Sequence, residues 1–169
     1  VPTRIHTALE LAGSQSLSSA LIPIECVLRN GVTQAELVQL HDAPLDRRRR
    51  PGSASLASAI RHMSRKSGSA LESCSRGLMI ESGLPRPEQQ VSFTIQGYRY
   101  YVDFFWREFG IIGEADGEAK FDEGGVAQFA QHRRQARLQT LGLTVVRWGW
   151  PELDPEPTPW LNGLRQVLR

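Results

Sequence analysis

The sequence predicts an α/β protein in which an N-terminal helical module precedes a domain of three strands, a helix, a fourth strand and a closing helix. Three observations carry this expectation. Apolar residues recur at helical spacing early in the chain, as in Leu17, Ala20, Leu21, Ile24, Val27 and Leu28. From residue 88 to residue 115 the chain turns aromatic and β-branched, in runs separated by Gln96-Gly97 and by residues 107–110. A further β-rich run, residues 143–148, follows a long basic segment of helical composition.

Residues 3–11 and 17–29 read as the first two helices, with Pro23 a point where the second can kink and Asn30-Gly31 its end. Thr33 caps a third helix, Glu36 completes a capping box, and Leu37, Val38 and Leu40 give it an apolar face. Residues 47–50 are four arginines in front of Pro51-Gly52. Two readings of them stand side by side, a solvated linker and a contact to phosphates. The expected division falls here, with residues 1–52 as helical module and basic linker and residues 53–169 as the α/β domain. Residues 53–66 form another helix with Leu56, Ile60 and Met63 on one face. Residues 69–82 form the next, started by Ser69 with Glu72 three positions on, and closed by Gly83-Leu84-Pro85.

Residues 88–95 and 98–106 flank the turn Gln96-Gly97, and 111–115 makes a second antiparallel hairpin with 98–106. Acids are embedded in these strands. Glu114 and Asp116 share a face, about 6.5–7 Å apart along the backbone. If the register lets Asp103 face the same way, three carboxylates converge at the rim of a sheet. Such a cluster is tolerated mainly when a divalent cation neutralises it, and oxygen ligands without nearby histidines favour Mg²⁺ or Mn²⁺ over zinc. Lys120 adds a cation four residues after Asp116.

Residues 121–141 read as a basic helix carrying His132, Arg133, Arg134 and Arg137, either a solvated face or a contact to the DNA backbone. Residues 143–148 are expected to pair beside the strand of Glu114 by a crossover through the basic helix, right-handed if the pairing is parallel. Arg147 on this strand joins Arg133, Arg134 and Arg137 as a DNA-binding candidate. Trp148 and Trp150 read as a core plug and a lid rather than platforms for bases. Residues 151–159 are an acidic, proline-rich loop and 160–168 an amphipathic closing helix.

A chain of 169 residues buries one good core and a small appended module. With 40% apolar and 22% charged residues its composition is ordinary for a globular protein, and a net charge of +2 leaves any nucleic-acid surface to local clustering. The longest apolar stretch, residues 20–28, is too short to span a bilayer and is interrupted by Pro23 and Glu25. Cys26 and Cys74 stand alone, without the spacing of a zinc site or a disulfide framework. A reducing cytoplasm is the expected location. The chain begins with Val inside patterned sequence, so the expectation is the C-terminal part of a longer protein.

An Asp, ten residues, then Glu-x-Asp with a Lys shortly after resembles the PD-(D/E)XK nuclease superfamily. The text Val-Asp-Phe-Phe-Trp, then Gly-Glu-Ala-Asp-Gly-Glu-Ala-Lys, then a basic helix and Leu-Gly-Leu-Thr-Val-Val-Arg-Trp, looks more specifically like endonuclease-like domains related to very-short-patch-repair (Vsr-like) endonucleases. Asp116 stands where the superfamily signature has Lys, and Lys120 where many of these domains have His. The resemblance implies a restriction-endonuclease-like core and a Mg²⁺- or Mn²⁺-dependent DNA endonuclease acting in repair or defence. It implies metal held by Asp103 and Glu114 with Asp116, charge stabilisation by Lys120, and a contribution from Glu72, which matches the Glu of the helix before the first strand. Capping alone also accounts for Glu72.

The opening Val-Pro-Thr-Arg-Ile-His-Thr-Ala-Leu-Glu-Leu-Ala resembles a stretch preceding such domains in actinobacterial proteins whose upstream part looks like AbiEi-type antitoxins, which implies a winged-helix segment further upstream. Two alternatives stay open. Glu-x-Asp in place of (Asp/Glu)-x-Lys suits a non-catalytic DNA-binding or antitoxin-like regulator that keeps the fold. A structural origin of the acids would have Asp103 paired with Arg99 or Arg147.

Overall fold

The computed structural model describes residues 3–42, 53–116, 137–138 and 140–169. They belong to two compact units, Val1–Glu81 and Ser82–Arg169. The boundary expected at residues 52 and 53 lies inside the first unit, because the helix that follows it packs on the helices before it.

The first unit is helical: α1 (Arg4–Gly13), α2 (Leu17–Arg29), α3 (Gln34–Asp42), α4 (Ser53–His62) and α5 (Ala70–Glu81). Side-chain caps start the helices where the sequence offers them. Thr3 Oγ1 accepts from His6 N at 3.3 Å and Ser16 Oγ from Ser19 N at 3.4 Å. At α3 the capping box closes in both directions, Glu36 N donating to Thr33 Oγ1 at 3.2 Å and Thr33 N to Glu36 Oε2 at 2.7 Å. These bonds to Thr33 hold the Glu36 carboxyl below the usual glutamate range. Pro23 sits inside α2 without ending it, and α4 ends at His62, four residues before the expected end.

Leu9, Leu21, Ile24, Leu28, Leu37 and Leu56 form the core of this unit. The α2–α5 crossing is close, since a Cβ added at Gly77 would lie 2.3 Å from Ser18 Cα. A charge is buried in the same crossing. Glu25, fully buried, accepts from Arg76 Nη2 and from Ser64 N at 2.8 Å, so one carboxylate ties α2 to α5 and to the chain leaving α4.

The second unit is built on a four-stranded mixed sheet in the order β1 (Glu88–Ile95), β2 (Tyr98–Trp106), β3 (Ile111–Ala115), β4 (Thr144–Trp148). The first two pairings are antiparallel and β4 lies beside β3, as the sequence led one to expect, and the β3–β4 pairing is parallel. Gln96 and Gly97 both have positive φ, 52° and 79°, the requirement of a two-residue type I′ hairpin turn. Between β2 and β3 a 3₁₀ turn, Arg107–Phe109, ends in left-handed Gly110.

One apolar cluster joins Ile95, Val102, Phe105, Ile112 and Leu138, with Leu143 and Val145 against it. Elsewhere in this unit Trp148 is the plug expected of it. Its ring stacks on Phe104 at 5.7 Å, lies 5.1 Å from Trp160, and crowds the space beside Gly113. The last helix, α6 (Thr158–Val167), begins two residues earlier than expected, with Pro159 in its first turn and Leu161 and Leu164 buried. Of the expected helix 121–141, Arg137 and Leu138 are described and helical, and residues 121–136 and 139 lie outside the described residues. No described helix is long and apolar enough to cross a membrane.

Candidate functional site

The polar residues of the sheet line up through register. The β2–β3 ladder pairs Trp106 with Ile111, Phe105 with Ile112 and Phe104 with Gly113. Continued by one step, it sets Asp103 opposite Glu114. In the parallel ladder Glu114 is itself the partner of Arg147. On the other side, Gln89–Phe104 and Val91–Val102 bracket Gln90 opposite Asp103. A row Gln90, Asp103, Glu114, Arg147 therefore runs across all four strands.

Each member has a defined environment. Gln90 has positive φ (52°), a conformation that interrupts regular strand geometry, and its Nε2 donates to Asp103 Oδ1 at 3.2 Å. Asp103 Oδ2 accepts from Ala115 N at 2.9 Å, so a side-chain carboxylate takes over from the β2–β3 main-chain ladder just beyond its last pair. Glu114 is 2% exposed, a carboxylate in a strand otherwise made of apolar residues and glycine.

Asp116 continues the edge of β3, its N donating to Trp148 O at 2.9 Å. Alternation puts Glu114 and Asp116 on one face, and parallel register puts Arg147 on that face too. There Arg147 Nη1 lies 3.4 Å from Asp116 Oδ2, with the two side chains 25% and 17% exposed. Arg147 Nε is buried and has no hydrogen-bond partner among the described residues.

The structure thus leaves Asp103 and Glu114 on adjacent strands one step beyond the last β2–β3 pair and gives Asp116 to Arg147. Among the described residues no group of three His, Cys, Asp or Glu is placed to hold a metal ion. Asp103 is bonded to Gln90 and to Ala115 N, not to the Arg99 or Arg147 of the structural alternative. Glu72 belongs to the first unit, where its Oε2 accepts from Gly68 N at 2.8 Å and its N donates to Ser69 Oγ at 3.1 Å. That is a helix-start role, with the Glu reaching Gly68 rather than the Ser69 N of a regular capping box. Lys120, His132, Arg133 and Arg134 lie outside the described residues.

Arg137 lies at the β1–β2 hairpin. Its guanidinium donates to the Tyr100 hydroxyl and sits 4.3 Å from the centre of the Tyr98 ring. Hydrogen bonding to Tyr100 holds it firmly protonated, above the usual arginine value. Gln90 and the Asp116–Arg147 pair were not anticipated. A glutamine among other polar strand residues carries no chemical signal, and Arg147 is separated from Asp116 by thirty intervening residues that only the parallel register folds away.

The second unit is of the mixed α/β class, with a polar row crossing its sheet. No family model matches the chain. It is similar to two curated proteins of Mycobacterium tuberculosis, uncharacterized protein MT2308 of strain CDC 1551 / Oshkosh and uncharacterized protein Rv2248 of strain ATCC 25618 / H37Rv. Each is 29% identical over 143 residues, covering 83% of this chain and 51% of the relative. The chain spans about half the length of the curated relatives it matches. No solved structure matches it.

Proposed function

We propose that the protein is a metal-dependent DNA endonuclease with a restriction-endonuclease-like core, hydrolysing phosphodiester bonds with Mg²⁺ or Mn²⁺. The observation that carries this reading is that Asp103 and the buried Glu114 both stand one step beyond the last β2–β3 pair, Phe104–Gly113, with Asp103 Oδ2 accepting from Ala115 N. The succession of α5, three antiparallel strands and a fourth strand parallel to the third agrees with it.

The donor set fits the ion. Mg²⁺ is held by one or two carboxylates, with waters and substrate phosphates completing its shell, so a third protein carboxylate is not required. Asp103 and Glu114 would hold it, and both oxygens of Asp103 keep lone pairs beyond the bonds to Gln90 and Ala115 N. A bound divalent ion supplies a water of lowered pKa and polarises the phosphate. Gln90 and the Ala115 N–H fix the Asp103 carboxylate before any ligand arrives, and Arg147 balances the negative charge of Asp116 beside Glu114.

One observation favours a second reading, a DNA-binding or antitoxin-like regulator without catalysis. Asp116 occupies the position of the signature lysine and already has a cationic partner in Arg147. The two readings separate in a calorimetric titration with Mn²⁺ on wild type and Asp103→Asn, followed by plasmid nicking under the same conditions. Binding and nicking that both vanish in the variant support the nuclease. Absence of binding to a folded wild type selects the regulator.

A further inference from the structure

β1 is an outer strand of the sheet, paired on one side with β2 and on the other, among the described residues, with no strand. The two-residue turn Gln96-Gly97 fixes which of its main-chain groups face outwards. Ile95 and Tyr98 flank that turn and so form a hydrogen-bonded pair, and such pairs alternate along an antiparallel ladder. Phe93 with Tyr100 and Val91 with Val102 therefore turn their main-chain groups inwards to β2. The N–H and C=O of Ser92 and Thr94 point away from it, at two positions that are exposed.

An outward row of this kind accepts another strand unless a charge or a proline blocks it, and residues 89–98 contain neither. The order of residues selects a second copy of this chain. Gln90, Val91, Ser92, Phe93, Thr94, Ile95 and Gln96 read the same in both directions by chemical class. Gln90 and Gln96, each with a φ of 52°, bound the regular stretch and centre it on Phe93. Antiparallel pairing about a two-fold axis at Phe93 sets Ser92 opposite Thr94 of the second copy, Val91 opposite Ile95, and Phe93 opposite Phe93. The hydrogen-bonded pairs of this register are Ser92 with Thr94, the residues whose main-chain groups face outwards. Val91, Phe93 and Ile95 lie on the side of the apolar cluster, Phe93 edge-on to Phe105 at 5.1 Å, so the apolar face continues across both copies. Such a contact is isologous, occupies this edge in both copies and closes as a dimer.

We propose that residues 91–95 of β1 are a dimerisation edge on which a second copy of this chain pairs antiparallel about Phe93. Sedimentation equilibrium of the full chain is expected to show a monomer–dimer equilibrium. Ser92→Lys/Thr94→Lys, at two exposed positions, sets like charges opposite one another and weakens the dimer about 10-fold or more. Ser92→Lys/Thr94→Glu sets opposite charges together in this register, whereas an axis at Ser92 or at Thr94 would oppose like charges. It dimerises at least as well as wild type. In the wild type, amide hydrogen exchange at Ser92 and Thr94 slows as protein concentration rises through the dimer transition.

A monomeric wild type overturns the proposal. So does a dimer that Ser92→Lys/Thr94→Lys leaves unchanged, one that Ser92→Lys/Thr94→Glu weakens equally, or one in which the Ser92 and Thr94 amides exchange as fast as in the monomer. Dimerisation by this edge is independent of the chemistry proposed for Asp103 and Glu114. A failed Mn²⁺ titration leaves the dimer standing, and a monomer leaves the titration to be read as before.

Discussion

Arg147 Nη1 lies 3.4 Å from Asp116 Oδ2, and the same arginine is the register partner of Glu114 one strand away. One guanidinium thereby faces two carboxylates at the end of β3. Replacing it with Met leaves the negative charges adjacent, one of them buried. Arg147→Met is expected to cost about 1–2 kcal/mol in urea unfolding, with part of that recovered when Asp116→Asn is added. An additive double variant would mean that the pair contributes nothing.

Gly113 sits beneath two indoles. A Cβ there would lie 2.6 Å from Trp148 Cη2 and 3.0 Å from Trp106 Cζ3, and neither ring is the flexible end of a side chain. Gly113→Ala is expected to destabilise by about 1–3 kcal/mol through overpacking. Near-ultraviolet circular dichroism should change with it, because the Phe104–Trp148 stack must shift.

The buried pair Glu25–Arg76 is asymmetric in what its removal does. Arg76→Met strands a fully buried carboxylate and is expected to cost about 3–5 kcal/mol. Glu25→Leu together with Arg76→Met removes both charges and should recover at least half of that loss in a denaturant series. Equal destabilisation by single and double variants would show that packing, not charge, sets the cost.

Glu36 predicts a pH dependence. Its folded pKa is depressed by the hydrogen bonds from Thr33, so its contribution is present above the ordinary glutamate pKa and is lost as pH falls through the lower folded value. Carbon-detected NMR titration should find the Glu36 carboxyl below other exposed glutamates, and Thr33→Ala should raise it towards them. A pKa unmoved by Thr33→Ala would remove the proposed cause.

Much of this architecture is local and was legible for that reason. Alternating residues with Gln96-Gly97 between them specify a hairpin, and Thr33 with Glu36 specifies a helix start, because each signal is complete within a few residues. That β4 lies beside β3 was legible from its β-rich run after a long intervening segment, while the parallel direction of the pairing was fixed only by the fold. What escaped is non-local. Glu25 read as an interruption in an apolar run, while in the fold it is the centre of the α2–α5 crossing, answered by an arginine fifty-one positions later. Asp116 read as a third ligand, and its arginine arrives from another strand. Gln90 acquires its role through the register, which sets it across from Asp103 within reach of its amide.

The bond from Ala115 N to Asp103 Oδ2 has a consequence for genetics. Asp103 is a fastener of the backbone as well as the leading candidate for chemistry, so an inactive Asp103→Ala allele confounds a lost reaction with a loosened strand. Asparagine, which keeps an acceptor oxygen for Ala115, is the allele that isolates the charge. Loss of function at position 103 is therefore read only from the pair of alleles, since alanine removes the fastening of Ala115 together with the charge.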